Sequence, residues 1–448
     1  MPNMNKSIIL LACGIFAAMC ISCEEIGHTD PIHDPTKLWP AVDDVTAKWG
    51  YINDKGKMVI PAQFDEAAGF SCGYARVEKD YNIHYINTKG KIKYTGDSDD
   101  SAFEFNYFRD FRYDYVLMLH GFRHTYAGYK PTYGLMDRNF DFVIQPGSYD
   151  ISEMCENGYV IFKQNGRLGY VTKKGVVIPP KFWYATPFRD GYAYIEYYPD
   201  KGNMIRGIID ETGNFVLQYN NNIIYDPLKH LGSGLFQFTD YHEKEHDGII
   251  EGDYVFGVIN VHGDTIRKAT KQAYYQPAVD NGLIAVKEDD PTTGYRHCWY
   301  MDYQGNVAID FGNQCYSATP FYEGYAWIKR NSNVQLIDTR GNVVLSYLNK
   351  GYEDTWVYPE TGFHNGLALI RRHENDTTKI MYINPQGEII YSWIVCIDKT
   401  PSNNTDDDED YESPAISADT MSEMDEFTEQ TLHFSSTRFE RNLRRLHK

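Results

Sequence analysis

An all-β repeat protein is the fold class this sequence predicts. Three observations carry that expectation: a tight turn repeated nine times, strand-like apolar runs on both sides of it, and a second turn signature within each unit. The first turn is Asp or Asn (once Thr) followed three residues later by Gly. It reads NDKG at 53–56, NTKG at 87–90, TKKG at 172–175, DETG at 210–213, NVHG at 260–263, DYQG at 302–305, DTRG at 338–341 and NPQG at 384–387. A degenerate copy, DRNF at 137–140, offers Asn139 as its left-handed residue. Spacings of about 34 to 50 residues between turns fall in the range of repeat architectures.

The turn has a physical logic. Its first residue accepts a backbone hydrogen bond from two residues on, and Gly at the fourth position supplies positive φ without a Cβ clash. The strands before it are apolar, as in WGYI from Trp49, LGYV from Leu168, RGII from Arg206 and FGVI from Phe256. Those after it are β-branched: MVI before Pro61, FVI before Gln145, VVI before Pro179. Each unit then carries a Phe-anchored turn, FSCGYA at Phe70, FRDGYA at Phe188, FYEGYA at Phe321 and FHNGLA at Phe363, with weaker forms at Gly158, Gly234 and Gly282. About eight or nine units of three or four strands follow. Closure into a propeller-like ring hides sheet edges and is preferred on that ground; an open β-solenoid is the alternative. A chain that is 15% aromatic suits strands, and no long helical periodicity appears in the array.

At KWGYINDKGKMVIPAQFDEAAGFSCGYARV, 48–77, the chain resembles the WG-repeat family of bacterial β-repeats, and the resemblance runs from about Lys48 to Trp393. It is strongest there and at 168–198. Elsewhere Tyr133, Leu168, Arg206 or Phe256 stands for the Trp, and His84, Trp299, Gln335 or Met381 for the paired Gly. The family has no common catalytic residues, so the resemblance implies an architecture and a binding role.

Residues 1–22 read as a lipoprotein signal peptide, with Lys6, an apolar stretch from Ile8 to Ile21, and Ser22 before Cys23. Cys23 is the expected lipidation site, preferred over Cys13, whose use would leave a very short apolar core. That places the protein on the membrane through an N-terminal lipid, as an outer-membrane lipoprotein facing the surface or the periplasm. Glu24 and Glu25 resemble the acidic export signals of Bacteroidota-type lipoproteins. Residues 23–40 form a tether, 41–398 the array, and 399–448 an acidic low-complexity tail with a possible short C-terminal helix. A net charge of −19 makes nucleic acid a poor partner.

No cofactor, metal site or catalytic constellation is expected, and the chain reads as a non-enzyme. The literal H-E-x-x-H at His242–His246 needs a helix to align its two imidazoles, yet a strand-like run precedes it and Asp247-Gly248 follows. It is expected in a loop joining the second and third strands of its unit. Gly96–Ser101 has calcium-like charge but not the ligand spacing. The paired acids Asp65 and Glu66 suggest a glycosidase only in principle, since their recurrence points to turn formation. Cys72, Cys155, Cys298, Cys315 and Cys396 read as small core residues, with Cys298 and Cys315 the one pair worth checking. Tyr74, Tyr192 and Tyr325 occupy equivalent positions and suit strand packing. Trp183, Trp299, Trp327 and Trp356 are the candidate ligand-contact residues. Three function classes follow: an envelope binding or scaffold protein for a protein or glycan ligand, a glycan-binding component of nutrient uptake, and an envelope hydrolase.

Overall fold

The computed structural model describes residues 36–396, apart from 97–108, 126–127, 200–203, 221–227, 247–248, 272, 290–295, 314, 349–354 and 375–376. The expected signal, Cys23, most of the calcium-like loop, and the tail lie outside the described residues. Within them the chain is β throughout, with one 3-10 turn at Glu156–Gly158. The strands form eight antiparallel sheets in which sequence neighbours are spatial neighbours. No helix among the described residues is long and apolar enough to cross a membrane.

The first sheet has three strands, Trp39–Asp43, Lys48–Ile52 and Met58–Phe64. The second has four: Glu66–Ala67, Tyr74–Lys79, Asn82–Asn87 and Ile92–Thr95. One later sheet has seven strands, because Gly175–Ala185 serves two units at once. Its beginning pairs back, Tyr170 with Ile178, and its end pairs forward, Ala185 with Ile195. In the first unit the same stretch breaks between Phe64 and Glu66. Reading the seven-stranded sheet as two units gives nine, one for each tight turn.

The tight turns form as the sequence predicts. Gly56, Gly90, Gly175, Gly213, Gly263, Gly305, Gly341 and Gly387 all have positive φ, from 73° to 108°. The Asn53 carboxamide accepts the N–H groups of Lys55 and Lys57 at 3.1 and 3.0 Å, and the Gly56 N–H donates to the Asn53 carbonyl at 2.9 Å. The degenerate turn corrects one expectation: Phe140, not Asn139, takes the left-handed conformation, with φ 65°. Phe140 holds the glycine's position, its N–H donating to Asp137 O at 3.0 Å. Its ring lies parallel to Tyr94, 5.2 Å away, and edge-on to Phe111 at 5.5 Å, which offsets the strain of a bulky residue at positive φ. The Phe-anchored signature is a second hairpin. Cys72 and Gly73 both have positive φ while Ser71 and Tyr74 exchange backbone hydrogen bonds of 2.8 and 3.0 Å, as a two-residue type I′ turn requires.

The core lies between sheets. Phe70, Phe188 and Phe321 of the hairpin each pack on the tyrosine of the unit before, Tyr51, Tyr170 and Tyr300, with ring centroids 4.5–4.8 Å apart. Those tyrosines reach across to the next unit's backbone: Tyr51 to Ala68 O at 2.8 Å, Tyr170 to Thr186 O at 2.6 Å, Tyr300 to Thr319 O at 2.8 Å. Asp65, offered in the sequence as half of an acid pair, holds Lys48 at 2.5 Å and accepts the Asp80 N–H at 3.0 Å.

The sheets are not joined into a closed barrel, and no ladder links the first sheet to the last among the described residues. The ends of the array meet through side chains. Trp49 and Tyr51 share one core with Leu369, Tyr382 and Trp393. Trp39 Nε1 donates to His364 O at 3.0 Å, Tyr382 to Pro40 O at 2.9 Å and Tyr391 to Val42 O at 3.0 Å.

Candidate functional site

The four tryptophans singled out in the sequence part company. Trp299 is 2% and Trp327 3% exposed, so neither presents a ring to a ligand. Both faces of their strands are buried: Trp299 lies between buried Cys298 and Tyr300 in Arg296–Met301, under the Arg267 guanidinium, 4.8 Å away, and Trp327 lies between buried Ala326 and Ile328 in Tyr325–Arg330, stacked near Phe363. Trp356 falls in the strand Thr355–Pro359, with its side chain outside the described set. Trp183 is 58% exposed. Among the described tryptophan side chains it alone is at the surface.

Its position follows from the shared strand. Phe182 faces the core at 1% exposed, so Trp183, one residue on, faces out. The neighbouring strand Arg167–Thr172 brings the Arg167 guanidinium to 5.0 Å from the Trp183 ring centroid. Tyr198, 43% exposed, stands edge-on to Trp183 at 6.1 Å and 84°. The hairpin just before Arg167 forms one wall of a cleft of about 350 Å³, with Lys163, Gln164 and Asn165 facing Ser148, Tyr149 and Asp150. Asp150 is engaged by Lys130, whose Nζ lies 2.9 Å from both carboxylate oxygens. Lys163, Arg167 and Lys181 form no ion pair with a carboxylate among the described residues. Arg167, Tyr198 and the cleft carry no signal in the sequence, because only the strand pairing brings 147–150, 163–167, 183 and 198 together.

The H-E-x-x-H segment differs from expectation. It is not in a loop but ends the strand Leu235–His246, paired in register with Ile249–Asn260. Four strand residues span about 13 Å of backbone, so the one-turn helical spacing used by zincins is absent. No group of three metal-ligating side chains clusters among the described residues. Cys298 and Cys315 do come together: both are free and fully buried, and the Cys298 thiol donates to the Cys315 carbonyl at 3.0 Å. Burial and the Cys315 thiol push Cys298 up, the thiol contact being the larger cause. Tyr74, Tyr192 and Tyr325 pack as expected; Tyr74 lies 5.1 Å from Phe111 and Tyr325 5.3 Å from Phe363, while Tyr192 packs beside Phe236 and Val261.

Comparison with known proteins agrees with this architecture. A WG containing repeat model matches residues 49–82, 133–167, 171–197 and 300–333, so these segments are similar to WG-type β-repeats. No curated protein matches the chain. A eukaryotic initiation factor structure is 10% identical with a TM-score of 0.54, over 80% of this chain and 96% of that one. The β-propeller domain of the Trilobed protease from Pyrococcus furiosus is 10% identical with a TM-score of 0.33, over 62% and 93%. A Bacteroides caccae protein of unknown function is 11% identical with a TM-score of 0.20, over 42% and 89%. At these identities the first likeness is one of fold alone, and the other two carry no argument.

Proposed function

We propose that the protein is a lipid-anchored binding or scaffold protein of the cell envelope, which holds a protein or glycan ligand on its repeat surface and performs no chemistry on it. The observation that supports this most is the Trp183 corner: an exposed indole between Tyr198 and Arg167, where Arg167 follows the hairpin that walls a cleft of about 350 Å³, on an array that buries its other described tryptophans. Exposed aromatic rings with convergent polar groups suit recognition. A role in glycan uptake rests on the same corner. The hydrolase alternative gains nothing from His242 and His246, whose backbone is extended.

The nine units close as a propeller-like ring in this reading. The support is the side-chain core shared by Trp49 and Trp393, with ring centroids 6.1 Å apart, and the Tyr382 hydrogen bond to Pro40. Anchoring rests on Cys23, at the outer membrane, with Glu24-Glu25 as the export signal. Two measurements test the reading. Cys23→Ala releases the protein from the membrane fraction, whereas the same release by Cys13→Ala alone would place the anchor elsewhere. Envelope material retained by the wild-type chain and lost with Trp183→Ala identifies the binding surface; equal retention by both removes the corner from the function.

A further inference from the structure

We propose that the Trp183 corner binds a carboxylated sugar ring of an acidic polysaccharide, an inference that rests on the binding role above and names its ligand class. Three features converge on that chemistry. Trp183 and Tyr198 stand at 84° to each other, so one ring offers a face and the other a wall. The apolar C–H face of a pyranose packs on such a surface, as an extended peptide does not require. The cleft walled by the hairpin that leads into Arg167 presents Gln164, Asn165 and Ser148, which supply both donors and acceptors for ring hydroxyls.

Charge selects among sugars. The chain carries −19 overall, yet Arg167 lies over Trp183, Lys181 stands two residues before Trp183 on the same strand, and Lys163 lines the cleft, none in an ion pair with a carboxylate among the described residues. The nearest acid of the cleft wall, Asp150, is engaged by Lys130. A neutral glycan leaves this local surplus of cations unused. Arg167 sits over the indole, where its planar fork is pre-organised to take a carboxylate in two parallel hydrogen bonds.

Affinity electrophoresis of the full chain in native gels containing polygalacturonate, or the neutral polymer pullulan, tests the proposal. Retardation by polygalacturonate and not by pullulan is expected, weakening as salt is raised. Trp183→Ala should raise the dissociation constant at least tenfold, and Arg167→Gln should do so for polygalacturonate. Tyr274→Ala, an exposed aromatic of a distant unit, should leave retardation unchanged. Melting curves matching wild type show that the surface variants are folded. Equal retardation by pullulan, or full retention of polygalacturonate binding in Arg167→Gln, overturns the acidic class and leaves the binding role standing. Retardation by neither polymer overturns the sugar assignment, and Trp183-dependent capture of a protein would then preserve the broader reading.

Discussion

Gly56 lies against the main-chain carbonyl of Ile390, so close that no Cβ fits between them. The contact belongs to a series. A Cβ on Gly90 would fall 2.9 Å from the Ile60 side chain, on Gly305 2.8 Å from Ile266, on Gly341 2.8 Å from Ile309, and on Gly387 2.9 Å from Leu345. In each case a turn glycine abuts an aliphatic residue on the last strand of the unit before it. For Gly56 the neighbour, Ile390, lies on the last described strand of the chain. The seam thus repeats the contact found along the array, and the glycine is required twice over, by positive φ and by a neighbour's backbone.

Gly56→Val and Gly175→Val separate those two requirements. Both residues have positive φ, 73° and 108°, but nothing lies within 4 Å of a Cβ on Gly175. Each substitution should cost more than about 1 kcal/mol from backbone strain. Gly56→Val should cost clearly more, because Ile390 has to move as well. Thermal melts of the two variants decide it, and equal losses would mean that the first and last units do not press on each other in solution.

Tyr170→Phe isolates the hydrogen bond between units. The ring stays packed on Phe188, while the Thr186 carbonyl loses its 2.6 Å donor. A loss of about 1–2 kcal/mol is expected for a part-buried acceptor left without that partner. Tyr382→Phe should cost about the same if the seam carries load, since its hydroxyl bonds Pro40 O at 2.9 Å. Urea denaturation of the pair gives the comparison, and a negligible effect at Tyr382 alone would point to an array whose ends separate.

Acid sensitivity should reside partly in the tight turns. Asp338 is held below the usual carboxylate range first by the Asn342 amide, then by the Asn342 and Arg340 N–H groups. At Asp210 and Asp302 burial raises the pKa and is outweighed by side-chain and backbone hydrogen bonds. A folded-state pKa below the unfolded value of about 3.9 means that these carboxylates stabilise the fold fully above that pH. The contribution disappears as pH falls through the lowered folded values. Asn already fills the same position at residues 53, 87, 260 and 384. Replacing Asp210, Asp302 and Asp338 together by Asn should therefore keep the turns and flatten the loss of stability below about pH 4. An unchanged acid transition by circular dichroism would assign acid sensitivity to other groups.

Much of this architecture was legible because it is local. The Asx-to-Gly spacing fixes a turn from four residues, and eight of the nine turns were placed by it. The spacing points to Asn139 and not to Phe140, because what permits the φ of Phe140 is the Tyr94 ring, over forty residues earlier in the chain, and no spacing rule reports a stacking partner. The sequence points His242–His246 to a loop because Asp247-Gly248 breaks helices, yet the segment ends a twelve-residue strand whose partner begins at Ile249. Trp299 and Trp327 could not be told from Trp183 by residue type. Their burial depends on which sheet face meets a neighbouring unit, a fact of packing between distant segments.

That distinction among tryptophans is itself measurable. Trp327 is 3% exposed and its Nε1 donates to Thr361 O at 3.3 Å, so Trp327→Ala leaves a cavity and an unmet carbonyl. A loss of about 3–5 kcal/mol is expected for removing a buried ring of this size. Trp183→Ala removes an exposed indole and its contact with Arg167, for which a loss of about 1 kcal/mol or less is expected. Intrinsic fluorescence gives an independent check, since Trp183 should be quenched by acrylamide in the native state and Trp327 protected. Comparable destabilisation by the two substitutions would mean that Trp183 is packed rather than presented, and the corner would then lose its claim as a binding surface.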